Sequence, residues 1–238
     1  MFPISDDNSE IRIIPFVTYL LIGLNVLVFA LLQGFGTNET FTYAFSLVPK
    51  EITSGQDLVA LVPITDSAGR VLGQIQHEPA LLGVYFNFLS SMFMHGDFMH
   101  IIGNMLFLWI FADNIENRIG HLRFAVFYLI CGLAAAFGQI FMDSGSIIPM
   151  LGASGAISGV LGGYLLLFPN KQVRAVMFSF MMTTIPAFVA LGLWIGFQIL
   201  QGFLSSGQKG GVAYAAHIGG FVAGLVLIKL FALGTRES

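Results

Sequence analysis

Residues 152–163 of the chain, GASGAISGVLGG, give the most direct indication of its fold. Within them Gly155, Gly159 and Gly163 recur at every fourth position. Small residues at this spacing let two helices pack closely inside a bilayer. Ser154, a side chain capable of nucleophilic attack, stands at the start of the same apolar stretch. The pattern predicts a helix-packing surface in a membrane protein, with a polar group placed beside it.

The composition of the 238-residue chain supports this class. It is 56% hydrophobic and only 10% charged, whereas soluble domains carry about 25% charged residues. Its mean hydropathy is +0.83. The net charge of −3 and the lack of a basic patch argue against a nucleic-acid partner. We therefore predict an all-α polytopic membrane protein in contact with lipid.

Six apolar segments approach the roughly 20 residues that a membrane-spanning helix needs. They are residues 13–33, 98–112, 124–142, 150–168, 185–204 and 212–233. We expect a six-helix membrane domain over 13–233, with a cytoplasmic N-terminal segment at 1–12 and a cytoplasmic tail at 234–238.

The long first loop, about 34–96, differs from the short loops elsewhere. Its uncharged stretch 81–94 is too interrupted for a span, which favours a re-entrant or interfacial element and a loop partly embedded in the membrane. Residues 176–184 are also largely apolar and could lengthen the fifth helix. Pro186 favours a start for that helix near residue 185.

The placement of Lys and Arg predicts the orientation. With the N-terminus inside, the inner segments hold seven of these residues and the outer loops three. Both termini are therefore predicted to be cytoplasmic. A polar network is expected at the inner end of the second helix, formed by Asn114, Glu116 and Arg118.

This topology places a set of polar residues at one depth, in the outer halves of three helices. They are His100, Asn104, Ser154 and His217. The charges alone determined the orientation, so their convergence supports it independently and predicts a site open to the outer side. Residues 1–12 lack the basic region and cleavage site of a signal peptide. With the small core, this favours a prokaryotic plasma membrane.

A base for the serine is offered by His217, inside the apolar sixth segment. That segment carries a stripe of its own, Ala216, Gly220 and Gly224. If the two stripes face each other, His217 lies close to Ser154. A serine needs an adjacent base to act as a nucleophile, and histidine suits that role near neutral pH. Ionisable side chains inside membrane segments are costly, which favours a functional role.

The last three segments contain no Asp or Glu to orient the histidine. Asp97 is interpreted as the N-cap of the second helix. These residues therefore favour a Ser-His dyad over a triad. His100 and Asn104 are four apart on one helix face. Together with the N–H of Ser154 they could stabilise an oxyanion, or His100 and Asn104 could form an interhelical pair that only holds helices together.

Three further residues are predicted to support the site rather than to react. They are His95, Gly152 and Gly155. His95 and His100 are five residues apart with no Glu between them, unlike the zinc-binding His-Glu-x-x-His pattern. No nucleotide-binding glycine loop precedes a soluble helix. We therefore expect neither a metal nor a cofactor.

At these positions the chain resembles the rhomboid family of intramembrane serine proteases. The matching motifs are Gly152-x-Ser154-Gly155, His95-x4-His100-x3-Asn104, and Ala216-His217 with Gly219-Gly220. The resemblance covers nearly all of residues 13–233. It implies Ser154 as nucleophile, His217 as general base, and an oxyanion hole of His100, Asn104 and the Ser154 amide. It also implies single-pass or other transmembrane proteins as substrates, cut near small residues in unstable helices.

Two departures from the family pattern concern the surroundings of the site. Ser158 stands where some members place an aromatic ring under the histidine, and the first loop lacks the Trp-Arg pair of some members. The resemblance also implies that the fifth helix and loop 203–211 gate lateral access. Two alternatives are a non-catalytic rhomboid-like client-binding protein and a small transporter, although no inverted repeat is evident. The sequence indicates no oligomeric state.

Overall fold

A computed structural model describes residues 2–65, 69–176, 181–204 and 213–235. The helices of these residues are α1 Phe16–Leu27 with a π-helical continuation Val28–Leu32, α2 Glu39–Ala44, α3 Pro49–Ser54, α4 Asn87–Ser90, α5 Phe98–Ile119, α6 His121–Met142, α7 Ser154–Leu167, α8 Ala187–Leu204 and α9 Tyr214–Phe231. Single 3-10 turns lie at Gly34–Gly36, Val84–Phe86 and Ser91–Phe93. The strands are β1 Phe2–Asp6, β2 Leu61–Thr65, β3 Val71–Gln76, β4 Gln172–Val176 and β5 Met182–Pro186.

Among the described residues, α5, α6, α8 and α9 are long and apolar enough to cross a membrane. Two shorter apolar helices lie at Phe16–Leu32 and Ser154–Leu167. Each of these helices falls within or over one predicted segment. Pro15 and Pro186 directly precede α1 and α8. Because the residue before a proline avoids the helical conformation, the prolines determine where these helices begin.

Two helix boundaries differ from the limits of the apolar segments for local reasons. The second helix continues past residue 112 to Ile119, and its last turns bury the polar side chains of Asn114 and Glu116 together with Ile115 and Ile119. The fourth helix begins at Ser154 rather than at residue 150. Met150 is held in an extended bridge to Leu47, and Gly152 has a φ of +119°, so neither can join the helix.

The chain is mostly helical, as the all-α prediction required, but the described residues also contain five short strands that the sequence did not predict. β4 pairs with both β1 and β5 in one sheet, and β2 pairs with β3 in a hairpin of the first loop. Val173 and Ala175 are fully buried, whereas Gln172 and Arg174 beside them in β4 are exposed. This alternation has the period of a strand, not of a helix. Part of the apolar segment 176–184 therefore belongs to β4 and β5; residues 177–180 lie outside the described ranges.

Helices α7 and α9 pack backbone against backbone. A Cβ atom at Gly224 would lie 1.9 Å from the carbonyl oxygen of Gly159, and one at Gly220 would lie 2.1 Å from that of Gly155. No side chain fits at such distances, so glycine is required for the approach. The two small-residue stripes therefore face each other, which is the condition under which the sequence places His217 close to Ser154.

The described residues of the first loop include no helix long enough to span a membrane. Residues 84–93 form successive short helical turns, and at about 1.5 Å per residue their length is roughly 15 Å, half of the hydrocarbon core. The loop also holds the chain that leads into α7. Leu47 and Met150 exchange backbone hydrogen bonds of 2.9 and 2.7 Å, and Gly152 N–H donates to Ser91 O at 2.9 Å.

Polar side chains near the C-terminal end of α5 bind several other elements. Glu116 accepts the backbone N–H groups of Val17 and Thr18, both at 2.8 Å, and so caps the first turn of α1, which has no side-chain cap of its own. Asn114 donates to Asp6 of β1 at 2.8 Å, and Arg118 bonds Thr235 after α9. The residues predicted to form a network, Asn114, Glu116 and Arg118, thus each bind a different part of the chain.

Candidate active site

Ser154 is the first residue of α7 and is half-buried. The residue two positions before it, Gly152, has a φ of +119°, which favours glycine and turns the chain sharply into the helix. In the first turn of a helix the N–H groups have no carbonyl one turn earlier to bind. The Ser154 N–H therefore lies beside its own hydroxyl as a hydrogen-bond donor for a ligand.

His217 is buried in the first turn of α9, with 9% of its surface exposed. Its Nε2 lies 2.8 Å from Ser154 Oγ, within hydrogen-bonding distance. The contact between the α7 and α9 backbones positions both residues, because each stands next to a glycine or alanine of the packing stripes. The structure thus brings together the two residues that the sequence paired.

The second ring nitrogen of His217 is directed toward α8. Nδ1 of His217 lies 2.8 Å from Oε1 of Gln198, and the ring centroid of Trp194 lies 6.1 Å from that of the histidine. Trp194 and Gln198 are four residues apart and share one helix face. Sequence reasoning missed Gln198, because it searched for carboxylates. A signal was present, since Gln198 is the only amide side chain in residues 187–200.

His100 lies across the Gly152 turn from the dyad. Its Nδ1 accepts from the Gly96 N–H at 3.3 Å, which leaves the ring proton on Nε2. A Cβ at Gly152 would be only 2.8 Å from that Nε2. A polarised N–H therefore points at the backbone next to Ser154. Asp97 accepts from the His100 N–H at 2.8 Å, so it is the N-cap of α5, as expected.

Asn104 lies one turn further along α5 and is buried. Its Nδ2 donates to the carbonyl oxygen of His100 at 2.9 Å. One of its two amide protons is thus used within the helix, and the other is left for a ligand or a neighbour. The structure therefore places the His100 ring against Gly152, whereas the Asn104 amide is bound to the backbone of its own helix.

His95 and Ser158 have structural surroundings. Gln33 binds both the N–H and the C=O of His95, at 2.9 and 2.8 Å, and the His95 ring packs edge-on to His100 at 5.1 Å. Burial lowers the pKa of His95 to about 3, so the ring is neutral at physiological pH. Ser158 Oγ donates to the Ser154 carbonyl at 2.7 Å. His95 thus packs against His100, and Ser158 binds the backbone of Ser154. Neither residue is hydrogen-bonded to Nε2 of His217.

A cavity of about 40 Å³ lies beside Ser154. Small or apolar side chains form most of its wall, including Met92, Ala135, Ala156 and Ala216. Within the described ranges, no three His, Cys, Asp or Glu side chains come together in a set that could hold a metal ion.

Comparison with known proteins matches residues 82–233 to the Rhomboid domain family model. The chain is 29% identical over 224 residues to Rhomboid protease GluP of Bacillus subtilis (strain 168), a match over 93% of this chain and 37% of GluP. It is 31% identical over 159 residues to RHOMBOID-like protein 5 of Arabidopsis thaliana, covering 66% and 48% of the two chains. It is 30% identical over 145 residues to the mitochondrial Rhomboid protein 1 of Saccharomyces cerevisiae (strain ATCC 204508 / S288c), covering 58% and 39%.

The chain belongs to the rhomboid family. Its apolar helices and this membership make it an integral membrane protein. It spans less than half the length of each of the three relatives.

Proposed function

We propose that this chain is an intramembrane serine endopeptidase that hydrolyses peptide bonds in or near the transmembrane segments of other membrane proteins. The observation that carries the proposal is the 2.8 Å contact between Ser154 Oγ and His217 Nε2. A nucleophile and a base in hydrogen-bonding contact are the core of covalent acyl transfer. One relative, GluP, is named a rhomboid protease.

In the proposed reaction, His217 Nε2 takes the hydroxyl proton as Ser154 Oγ attacks the peptide carbonyl. The protonated ring then gives that proton to the leaving amine, and the peptide C–N bond breaks. A water molecule, deprotonated by the same nitrogen, hydrolyses the acyl-enzyme and restores the serine. One histidine thus serves as base and acid in turn.

Three donors are proposed to hold the oxyanion: Nε2–H of His100, the N–H of Ser154 and the free amide proton of Asn104. Support for His100 comes from the Gly96 bond, which fixes the proton on the nitrogen that faces Gly152. Donors held in place before the reaction stabilise developing charge without reorganisation. Gly152 and Gly155 support the site by leaving room for these contacts.

The cavity beside Ser154 supports a preference for a small side chain next to the cleaved bond, because its volume is about 40 Å³. A substrate segment must leave its helix to expose that bond. We propose single-pass or other transmembrane proteins as partners, and no cofactor.

The proposed topology has six membrane-spanning helices in a domain over residues 13–233, with the short helix α7 surrounded by longer ones. Residues 1–12 and 234–238 are proposed to be cytoplasmic, with the site open to the outer side of a prokaryotic plasma membrane. The balance of Lys and Arg supports this orientation.

Labelling with a fluorophosphonate tests the proposal without a known substrate. The purified protein in detergent is compared with Ser154→Ala and His217→Ala, and a catalytically active rhomboid protease is labelled in parallel. We expect labelling of the wild type and its loss in both variants. Absence of labelling in a folded wild type, with the reference protease labelled, would instead favour the client-binding alternative.

A further inference from the structure

We propose that Gln198 is the positioning residue of the dyad: its Oε1 accepts the Nδ1–H of His217 and so fixes the histidine tautomer that can deprotonate Ser154. The inference rests on the proposed function. It extends that function to a residue on a third helix, α8, outside the two helices that carry the dyad.

The geometry places the imidazole between two hydrogen-bond partners. Gln198 Oε1 and Ser154 Oγ each lie 2.8 Å from a different ring nitrogen of His217. A neutral imidazole carries one proton, and the bond at one nitrogen decides the role of the other. A carbonyl oxygen can only accept, so it holds the proton on Nδ1. Nε2 is then left with the lone pair that the serine proton requires.

Without this acceptor the other tautomer becomes available. In that form Nε2 carries the proton and donates to the serine oxygen, so it cannot act as a base. In a Ser-His-Asp triad a carboxylate prevents this. The described residues of α7, α8 and α9 include no carboxylate, and the amide of Gln198 occupies the corresponding place against Nδ1.

Trp194 complements the amide from the same face of α8. Its ring lies 6.1 Å from the His217 ring and 6.2 Å from that of Phe221, one turn further along α9. Ser158, the residue one turn after the nucleophile, is turned back to its own helix and offers the histidine no ring. The face of α8 formed by Trp194 and Gln198 therefore sets both the plane and the tautomer of the imidazole.

The first arm of the test measures fluorophosphonate labelling rates and the kcat and KM for a transmembrane substrate. Gln198→Leu keeps the volume and removes the acceptor, whereas Gln198→Glu keeps an acceptor oxygen in either protonation state. We expect the Leu variant to lose roughly tenfold or more in kcat, the effect of one lost hydrogen bond, with KM little changed. The Glu variant should recover most of that loss. Gln201→Leu, the same change on the same helix, should stay near the wild type.

The second arm does not need activity. Isotope-labelled histidine reports the tautomer of His217 by NMR, with its signals identified by their loss in His217→Ala. We expect the Nδ1–H form in the wild type and a gain of the Nε2–H form in Gln198→Leu. An Nε2–H wild type, or an unchanged tautomer and rate in Gln198→Leu, would overturn the inference. Equal losses in the Leu and Glu variants would also do so, because they would indicate packing alone. An unlabelled wild type refutes the proposed function, and the NMR arm still decides the role of Gln198.

Discussion

At Gly152 the backbone passes so close to His100 that there is no room for a methyl group. A Cβ there would lie 2.8 Å from the ring nitrogen, and the φ of +119° disfavours any other residue. The nitrogen concerned is the one proposed to hold the oxyanion. Because Gly152 has no side chain, it leaves space for the His100 ring nitrogen and allows the sharp turn before Ser154.

Gly152→Ala is expected to lower the fluorophosphonate labelling rate by about 10- to 100-fold, since strain of about 1–3 kcal/mol would displace the turn or the histidine. Gly145→Ala in the same connection is the control, because its Cβ would meet only Asp143 at an ordinary 3.9 Å. Equal rates for both variants would show that the Gly152 turn does not position the site.

The residues of the dyad could be predicted because each stands beside a periodic stripe, and the stripes determine which helices meet. The partner on the far side of the imidazole could not be predicted in the same way. Gln198 reaches His217 through the rotation of α8, which apolar composition leaves open, and an amide among apolar residues has many structural uses. The roles of Ser154, His217, His100 and Asn104 stay predictions until activity is measured.

Among the elements, α7 and α9 depend on each other through bare backbone. Gly224→Ala would place a Cβ 1.9 Å from the carbonyl of Gly159, so the helices must separate. We expect a loss of about 1–3 kcal/mol or more in stability, seen as a lower Tm in detergent. Labelling should fall as well, because His217 is carried by α9. Gly192→Ala on α8, where nothing lies within 4 Å, should leave the Tm unchanged or slightly higher. If Gly192→Ala lowered the Tm as much as Gly224→Ala, the close contact of α7 and α9 would not explain the effect.

The strands show where sequence reasoning fails at this scale. Residues 172–176 and 182–186 are short, and their alternation becomes visible only once β1 covers one edge of β4. The partner comes from the other end of the chain, more than 160 residues away in register (Asp6 with Val173). Short apolar stretches without a local partner fit helix and strand equally well, so residues 176–184 were considered as an extension of the fifth helix and the strands were not predicted.

For the whole molecule, β1 joins the membrane helices through Asp6. The carboxylate accepts from the Tyr164 hydroxyl at 2.6 Å and from Asn114 at 2.8 Å. Burial raises the pKa of Asp6 from 3.8 to about 6, against the opposing effects of the Tyr164 bond and of Lys171. A raised carboxyl pKa means that the folded state binds the proton more tightly than the unfolded chain.

The contribution of Asp6 to stability should therefore be largest below about pH 4 and fall as the pH rises through about 6. The change amounts to at most about 3 kcal/mol. In Asp6→Asn the dependence of the Tm on pH between pH 4 and pH 7 should become weaker than in the wild type, because the contribution of Asp6 is removed. Asp7→Asn, which alters an exposed neighbour, should keep it. Parallel curves for wild type and Asp6→Asn would exclude Asp6 as the proton-linked group.

The packing of α8 bears on how the protein could be inhibited. Of its most apolar stretch only 22% is buried inside the protein, against 50% for α5, and Leu193 and Phe197 are more than half exposed. A lipophilic compound that displaced α8 from the lipid side could donate a hydrogen bond to Nδ1 of His217, where Gln198 accepts one, and so shift the ring proton to Nε2. Ser154 would then lose its base without any reaction at the serine itself. The selectivity of such a compound would depend on the surface of α8 rather than on the cavity where acylating reagents bind.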